Sequence, residues 1–322
     1  MVRRKRLAER VIPAPLRLEG RTCIVTGGTA GIGFVVAREL AHTGATVVTV
    51  ARNAERGARS VEEIRRETGN ANVEFMRCDL SSLVEVRHLA HEIRARHPRV
   101  HVLVNNAGGF FARRRESVEG IEMTLALNHL GPFLLTNLLL DLIEAGAPSR
   151  IVNVASEAHE DVDRFDFDDP QATKRAYPRT EAASIFYAMV MPWKHPGYTQ
   201  YAYTKLANIL FTTQLARRLE GTGVVANALH PGMVATEFGR GNGIYGWLLQ
   251  RYLAARGISP EEGARTVLHL ATSPEVENVS GRYFVRSRPV APSIAAQDRE
   301  DAARLWNLSF EMTARVALKT PS

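Results

Sequence analysis

Near its beginning the chain reads Cys23-Ile24-Val25-Thr26-Gly27-Gly28-Thr29-Ala30-Gly31-Ile32-Gly33, and an apolar helical pattern over Phe34–His42 follows. A β-branched run thus leads through a glycine-rich turn into a helix. The glycines allow a tight turn and a close approach of the backbone to a pyrophosphate, and the helix N-terminus offers unpaired N–H groups and a positive dipole end. Because the turn lies between a strand and a helix, it predicts a nucleotide site.

The same alternation of strand-like and helical segments continues along the chain. Ser82 and Ser259 are placed to begin two of the helices, each with a glutamate three positions later. Such alternation is typical of a parallel sheet covered on both faces. We therefore predict a single α/β domain over residues 18–322, with a doubly wound parallel sheet of about seven strands and helices on both faces. Six predicted strands are Cys23–Thr26, Thr46–Val50, Val73–Arg77, Val100–Val104, Arg150–Val154 and Val224–Leu229.

Two segments interrupt the alternation, and both follow the carboxyl end of a strand, where ligands bind in such sheets. The first, residues 158–199, begins acidic and ends in the apolar run Ile185–Met191. The second, residues 237–257, carries glycines, Phe238, Tyr245 and Trp247. We interpret the first as an insertion and the second as a substrate-loop region. Core packing or subunit contact is the alternative for both.

Composition excludes several classes of protein. The 322 residues are 45% hydrophobic and 23% charged, which is ordinary for a globular protein and excludes a disordered or fibrous one. The net charge of +7 comes partly from Arg3–Arg6, within a basic N-terminal extension over residues 1–17. Basic residues interleaved with aromatic ones are lacking, so we expect no nucleic-acid partner. An apolar run of about 18 residues is also lacking, so we expect no membrane span, although the basic extension leaves weak attraction to anionic lipid open.

Cysteine and histidine usage point to the compartment and argue against a metal. Cys23 and Cys78 lie in apolar strand-like runs, so we interpret them as buried free thiols in a reducing compartment and expect a cytoplasmic protein. His88 and His91 are flanked by arginines and no carboxylate or thiolate set converges with them, so we expect no bound metal.

The end of the second strand indicates which dinucleotide binds. The chain there reads Val50-Ala51-Arg52-Asn53, without the acidic residue that usually accepts the ribose 2′-hydroxyl of NAD. Arg52 suits a 2′-phosphate, so NADP(H) is preferred and NAD(H) is the alternative. Asp79, at the end of the third strand, is placed for the adenine edge, or equally well as a helix N-terminal acid.

Further motifs carry a family resemblance. Asn105-Asn106-Ala107-Gly108 follows the fourth strand, and Tyr201-x-x-x-Lys205 and Pro231-Gly232 come later. With the glycine spacing Thr-Gly-x-x-x-Gly-x-Gly, the chain resembles the short-chain dehydrogenase/reductase family over about residues 18–290. Within that family it is most similar to the retinol dehydrogenase and WW-domain oxidoreductase group, on the runs Leu127–Thr136, Lys205–Phe211 and Leu229–Gly232.

The resemblance implies a Rossmann-type fold, a homo-oligomer (dimer or tetramer) paired through the helices around Asn128 and Tyr201, and a set of site residues. Its catalytic residues are Asn128, Ser156, Tyr201 and Lys205. Its cofactor-binding residues are Gly27, Thr29, Gly31, Ile32, Gly33, Arg52, Asn53, Asp79, Leu80, Asn106, Ala107, Gly108, Tyr201, Lys205, Pro231, Gly232, Val234 and Thr236.

The catalytic residues suit proton transfer to a developing alkoxide. A free phenol titrates near ~10, too high for easy exchange at neutral pH. Lys205 lies four residues after Tyr201, on the same helix face, where its charge lowers the pKa of the phenol. Ser156 would bond the substrate oxygen, and by resemblance Asn128 holds a water that relays protons to Lys205. A turn serine and a polar residue in a packing seam are the alternatives, and we interpret Glu157 and His159 as loop residues.

These residues predict an NADP(H)-dependent oxidoreductase that interconverts a carbonyl and an alcohol on an apolar or amphipathic small molecule. One alternative is an NAD-dependent secondary-alcohol dehydrogenase, and another is a nucleotide-binding sensor without turnover. Ser156 and Tyr201 lie 45 positions apart, well beyond the usual gap in the family. The insertion between them therefore weakens a transfer of substrate identity from relatives.

Overall fold

The computed structural model describes residues 17–178, 180, 183, 186, 187 and 194–317. The basic run at 3–6 and most of the apolar run at 185–191 lie outside these residues. At the centre is an eight-stranded sheet in the order β3-β2-β1-β4-β5-β6-β7-β8. The strands are β1 Thr22–Thr26, β2 Thr46–Ala51, β3 Val73–Arg77, β4 Val102–Asn105, β5 Ser149–Val154, β6 Val224–His230, β7 Tyr283–Val285 and β8 Arg288–Val290.

Seven strands are parallel, as predicted, and β8 adds an antiparallel edge to β7. A two-residue turn at Arg286 and Ser287 joins β7 to β8, and both residues have positive φ, +51° and +61°. This is the backbone of a tight hairpin, which usually calls for glycine or asparagine. The sequence lacks that signal, so the eighth strand was not predicted.

Helices cover both faces of the sheet. Buried side chains of α1, α2 and α9 form the core on one face, and those of α3, α5, α7 and α10 form the core on the other. The helices are α1 Gly31–His42, α2 Ala54–Thr68, α3 Leu83–Arg96, α4 Met123–Leu125, α5 Gly131–Leu138, α6 Leu140–Ala145, α7 Pro196–Arg218, α8 Gly243–Arg256, α9 Pro260–Thr272 and α10 Arg299–Ala317. The predicted doubly wound architecture is confirmed.

The strand order reverses between β1 and β4, which are neighbours in the sheet although β2 and β3 separate them in the chain. In open α/β sheets this reversal leaves a crevice beyond the carboxyl ends of the strands, where ligands bind. Thr26, Asn105 and Val154 end the three central strands at that edge.

Local signals in the sequence set the helix starts. Ser82 and Ser259 begin α3 and α9, and each hydroxyl accepts the backbone N–H of the glutamate three residues later. In a capping box the glutamate side chain would bond back to the N–H of the capping serine. Here the Glu85 carboxylate accepts the N–H of Asp79 at 2.8 Å instead. The first helix begins at Gly31, earlier than predicted, so the glycine loop is part of its first turn.

The early part of the predicted insertion belongs to the body of the domain. Phe165 is 3% exposed and packs edge-on against Phe167 with ring centroids 5.0 Å apart. Arg164 donates two hydrogen bonds to Asp301 in α10, at 2.9 and 2.7 Å. The last residues of the segment form the start of α7, at Pro196.

Candidate active site

The glycine loop has the backbone that the sequence predicts. Gly27 and Gly31 have φ of +67° and +52°, a region that favours glycine. A Cβ on Gly33 would lie 2.2 Å from the Gly27 carbonyl oxygen, so no side chain fits there. Ala30, before α1, has no side chain able to cap the helix, so its first N–H groups remain available to an anion.

A cleft of about 640 Å³ opens beside this loop. Of the predicted cofactor residues, Thr29, Gly31 and Thr236 line it. Two arginines that sequence reasoning missed, Arg56 and Arg59, also line it. Their signal was present in the sequence, because Arg52, Arg56 and Arg59 recur at helical spacing from the end of β2. Glu63 and Glu237 line the cleft as well, so its wall is of mixed charge and the two arginines are the groups suited to an anionic dinucleotide.

Residues at the end of β2 take separate positions. Arg52 is exposed just beyond the strand, near the start of α2. Asn53 caps α2, since its side chain accepts the Arg56 N–H at 2.8 Å. Arg56 in turn pairs with Glu237 of the substrate loop at 2.7 Å. The first turn of α2 is thereby joined to the segment that follows Thr236.

Thr26 joins β1 to the turn after β4. Its hydroxyl accepts the N–H groups of Asn106 and Ala107, at 2.9 and 3.1 Å. The Asn106 amide donates back to the Thr26 carbonyl at 2.8 Å. These bonds join the end of β1 to the turn after β4. Thr26 therefore fixes the spacing between the glycine loop and the Asn106–Gly108 turn.

Asp79 and Leu80 form the turn after β3. One carboxylate oxygen of Asp79 accepts both the N–H and the hydroxyl of Ser81, at 3.0 and 2.7 Å. Leu80 is buried, and its carbonyl lies so close to Gly131 that a Cβ there would be 2.2 Å from it. Asp79 thus shapes the turn, and its contact with adenine stays a prediction.

The turn after β6 brings its predicted residues to the glycine loop. Gly232 has φ of +91°, and Val234 is buried beside Ile258. A Cβ on Gly31 would lie 2.9 Å from the Thr236 methyl group, so the two loops touch across the cleft. Pro231 begins the turn, directly after His230.

Tyr201 and Ser156 meet at the carboxyl end of β5. The neighbouring Ser156 lowers the pKa of Tyr201, but burial acts more strongly and raises that pKa to about 12. Ser156 Oγ also accepts the N–H of Ala158 at 3.2 Å, so the serine caps a short 3₁₀ helix, Glu157–Asp161, as well. The neighbouring Tyr198 differs, because its hydroxyl hydrogen is already used in a bond to Asp161, at 2.5 Å.

Lys205 lies beneath Tyr201 on α7, as the four-residue spacing predicts. Its Nζ is 5.4 Å from the centroid of the Tyr201 ring and donates to the Val154 carbonyl at 2.9 Å. Burial lowers the pKa of the lysine to about 8. Its effect on the pKa of Tyr201 stays a prediction, since burial and Ser156 are the influences that this geometry shows.

Asn128 lies in a π-helical turn, Ala126–Leu130, rather than in a regular helix interior. Its carboxamide accepts the Gly109 N–H at 2.7 Å and donates to the Gly109 carbonyl at 2.9 Å. A Cβ on Gly108 would lie 3.3 Å from Asn128 Oδ1 and 3.6 Å from Lys205 Nζ, so the three residues adjoin. The side chain thus holds the turn after β4, and the water relay stays a prediction.

Rings from distant segments gather above Tyr201. Phe238 and Phe110 have ring centroids 5.2 and 6.4 Å from that of Tyr201. Phe110 packs on Tyr245 of α8 at 5.3 Å, and the buried His195 lies 5.0 Å from Tyr245. The sequence suggested Phe238 and Tyr245 but missed Phe110 and His195, which adjoin them only in the folded chain.

Other expected features can be located within the described part of the chain. Both cysteines are free and buried, as expected. His88 and His91 are exposed on α3. Among the described residues, no group of three or more histidine, cysteine, aspartate or glutamate side chains is placed to hold a metal. No described helix has both the length and the apolar character needed to cross a bilayer.

Comparison with known proteins gives concordant matches. A family model described as short chain dehydrogenase matches residues 21–168, and one described as Enoyl-(Acyl carrier protein) reductase matches residues 171–286. Retinol dehydrogenase 13 of Homo sapiens is 40% identical over 96% of this chain and 88% of its own length.

Two solved structures are similar as well. An uncharacterized protein from Mycobacterium paratuberculosis is 30% identical, with a TM-score of 0.70 over 93% of this chain and 95% of that one. The Pseudomonas aeruginosa RhlG/NADP active-site complex is 26% identical, with a TM-score of 0.61 over 83% of this chain and 94% of that one.

Proposed function

The chain belongs to the short-chain dehydrogenase/reductase family, within its retinol dehydrogenase-like group, and on that premise we propose that it transfers hydride between NADP(H) and a carbonyl or alcohol carbon of an apolar or amphipathic small molecule. As a member of that group it is an oxidoreductase acting on CH–OH donors. The observation that carries the finer proposal is the convergence of Tyr201 and Ser156 at the end of β5, with Lys205 Nζ 5.4 Å from the tyrosine ring.

Each side chain has one task in this reaction. Ser156 donates to the substrate oxygen and polarises the carbonyl, and Tyr201 gives its proton to the oxygen as the alkoxide develops. General acid–base catalysis of this kind contributes roughly 10²–10⁴-fold. The charge of Lys205 stabilises the phenolate that remains. When bound, the nicotinamide supplies or accepts the hydride.

The nucleotide cleft fits an NADP-type cofactor. The open first turn of α1 suits the pyrophosphate, and Lys205 is near enough to Gly108 to meet the nicotinamide ribose. Arg52, with Arg56 and Arg59 beside it, favours the 2′-phosphate, and RhlG was solved in complex with NADP. NAD(H) remains the alternative cofactor.

The substrate class follows from the ring cluster over Tyr201. Phe110, Phe238 and Tyr245 present an apolar wall that disfavours a strongly hydrated substrate. The relative named retinol dehydrogenase 13 agrees with an apolar alcohol or aldehyde. A retinoid-like, steroid-like or fatty carbonyl compound fits this wall.

Expectations for assembly and location belong to the same proposal. The predicted dimer or tetramer used the helices around Asn128 and Tyr201, but α10 covers that face. Trp306 of α10 packs on Phe133 and Phe211, with ring centroids 5.0 and 5.8 Å away. We therefore expect any dimer or tetramer to pair through another face, which cross-linking of the purified protein would locate. A cytoplasmic location stays an expectation.

The test of function is turnover of NADPH and NADH against a panel of aldehydes and ketones, with wild type and Tyr201→Phe side by side. NADPH-selective reduction that falls at least 100-fold in the variant supports the proposal. Turnover retained by Tyr201→Phe would show that another group is the acid. NADPH binding without turnover on any compound, unchanged by the variant, would favour a nucleotide sensor instead.

A further inference from the structure

The peptide group between Ser156 and Glu157 is held at both of its polar ends by a histidine. His159 Nδ1 lies 2.8 Å from the Ser156 carbonyl oxygen. The Glu157 N–H donates to His230 Nδ1 at 3.1 Å. Resting on the proposed function, we propose that His159 and His230 are positioning residues that fix this one peptide and thereby aim the Ser156 hydroxyl at the substrate oxygen.

Hydrogen bonding assigns a different tautomer to each histidine. His159 Nε2 accepts the Ser293 N–H at 3.1 Å, so its Nδ1 carries the hydrogen and donates to Ser156. His230 Nδ1 is the acceptor for Glu157, so its hydrogen is on Nε2, which lies 3.5 Å from a Glu157 carboxylate oxygen. Each ring is neutral in this arrangement, since a second proton would remove an acceptor nitrogen.

The surroundings of both rings favour the neutral form. Burial lowers the pKa of His159, against the carboxylates of Glu157, Glu160 and Asp161. Burial also lowers the pKa of His230, where Lys205 and His159 add to the effect and Glu157 opposes it.

Both histidines are fixed to the sheet. His159 is wholly buried and packs edge-on against Tyr283 of β7, with ring centroids 5.0 Å apart. His230 is the last residue of β6, adjacent to β5 in the sheet. β6, the strand next to that of the serine, thus carries one of the two supports, and β7 packs against the other.

Fixing this peptide fixes the serine. The plane of the Ser156–Glu157 peptide defines ψ of Ser156, which is 154°. That angle places the Ala158 N–H where it donates to Ser156 Oγ, and the same oxygen meets Tyr201. A rotated peptide would withdraw the Ala158 N–H from Ser156 Oγ and leave the hydroxyl free to turn away from the phenol, and a misplacement of about 1 Å can cost roughly 100-fold in rate.

Amide substitutions separate this role from a general structural one. An asparagine amide reaches the position of Nδ1 in histidine, whereas a glutamine amide reaches that of Nε2. His159→Asn keeps a donor for Ser156, and His230→Asn keeps an acceptor for Glu157. His159→Gln and His230→Gln lose those bonds.

We expect each glutamine variant to lower kcat by roughly tenfold or more, with the Kd for NADPH within about twofold of wild type. Each asparagine variant should recover most of that loss. Equal kcat for the asparagine and glutamine variants of either histidine would overturn the proposal. In a Ser156→Ala background, His159→Gln should cause no further loss, because its effect passes through the serine. A further loss as large as in wild type would contradict this.

Nitrogen NMR of histidine-labelled protein near neutral pH tests the geometry without turnover. We expect the Nδ1–H tautomer for His159 and the Nε2–H tautomer for His230, assigned with the glutamine variants. The reversed tautomers, or a charged ring at either position, would overturn the positioning proposal and leave the proposed function standing. NADPH binding without turnover on any carbonyl compound would overturn the proposed function while the assigned tautomers remained.

Discussion

The proposed nucleotide side and the proposed substrate side of this site are built by different means. The nucleotide side consists of the loops 26–33, 105–108 and 231–236, which meet through backbone atoms and glycines. The substrate side consists of the rings of Phe110, His195, Phe238 and Tyr245, which meet through their faces and edges. Backbone geometry determines the shape of the nucleotide side, whereas the packing of aromatic side chains determines the shape of the substrate side.

That difference predicts which side tolerates substitution. A Cβ at Gly33 would lie 2.2 Å from the Gly27 carbonyl oxygen, so this position admits only glycine. An aromatic wall tolerates exchanges of similar volume, because such exchanges cost little. Substrate preference can therefore change through Phe110 or Tyr245 while the nucleotide loops stay the same.

The largest expected effect is on the nucleotide side. Gly33→Ala would place a methyl group 2.2 Å from the Gly27 carbonyl oxygen. Overpacking of this kind costs typically ~1–3 kcal/mol, so we expect the Kd for NADPH to rise roughly 10- to 100-fold in a fluorescence titration. Ala30→Gly, which adds no atom to the same loop, is the control. Similar affinities of the two variants for NADPH would show that the loop moves to accommodate the added methyl group.

Acid should destabilise the fold through two buried histidines, of which His195 belongs to the substrate side and His129 to the core beneath α10. Burial lowers the pKa of His129 and of His195 to about 4. An unfolded histidine titrates near ~6.5, so between these values the unfolded chain binds protons that the folded chain excludes. The free energy of unfolding therefore falls as the pH drops from about 7 to about 4, by up to ~3 kcal/mol for each histidine.

Urea unfolding at several pH values measures this loss. His129→Gln should remove its share of the pH dependence, whereas the exposed pair His88→Gln/His91→Gln should leave the dependence intact. A free energy of unfolding that stays level from pH 7 to pH 4 would mean that these rings are hydrated in solution.

An intermediate effect is expected on the substrate side. Phe110 is 4% exposed and lies 6.4 Å from Tyr201, centroid to centroid. Phe110→Ala should raise the KM for an apolar aldehyde about tenfold and leave the Kd for NADPH within about twofold, because apolar contact with the substrate is lost. Phe310→Ala removes a ring that is 63% exposed on α10 and serves as the control. Equal KM values would place the substrate elsewhere.

The smallest effect concerns the choice of dinucleotide. Arg52→Ala should weaken NADPH binding about fivefold to tenfold and NADH binding hardly at all, because only NADPH has the 2′-phosphate, and a charged hydrogen bond contributes ~1.5 kcal/mol or more. Arg66→Ala, exposed in the last turn of α2, is the matched control. Equal losses of affinity for the two nucleotides would show that Arg52 does not contact the 2′-phosphate and would assign that contact to Arg56 and Arg59.

The sequence predicted those parts of the fold that local chemistry dictates. Strand–helix alternation gave the parallel sheet, and Ser82 and Ser259 marked helix starts, because a cap hydroxyl acts within three residues. It did not predict β8, whose turn at Arg286 and Ser287 lacks the usual residues. It placed β4 from Val100, whereas the strand begins at Val102, since the Val100 N–H donates to the carbonyl of Leu142 within α6.

The same limit applies to the site. The four-residue spacing of Tyr201 and Lys205 is a helix-face relation and can be read directly from the chain. His159 was interpreted as a loop residue, yet it is buried and bonded to Ser156 and to Ser293, which is 134 positions away. No local pattern encodes a contact between such distant segments, so only the folded chain reveals it.

The most direct test of the central claim is the transfer of deuterium from NADPH labelled at C4 of the nicotinamide, with each face labelled in a separate experiment. An apolar aldehyde or ketone is the acceptor, and mass spectrometry follows the alcohol product in wild type and Tyr201→Phe. We predict one deuterium in the alcohol from one face only, and at least 100-fold slower labelling in the variant. An unlabelled alcohol, or equal labelling by the variant, would contradict hydride transfer with Tyr201 as the acid.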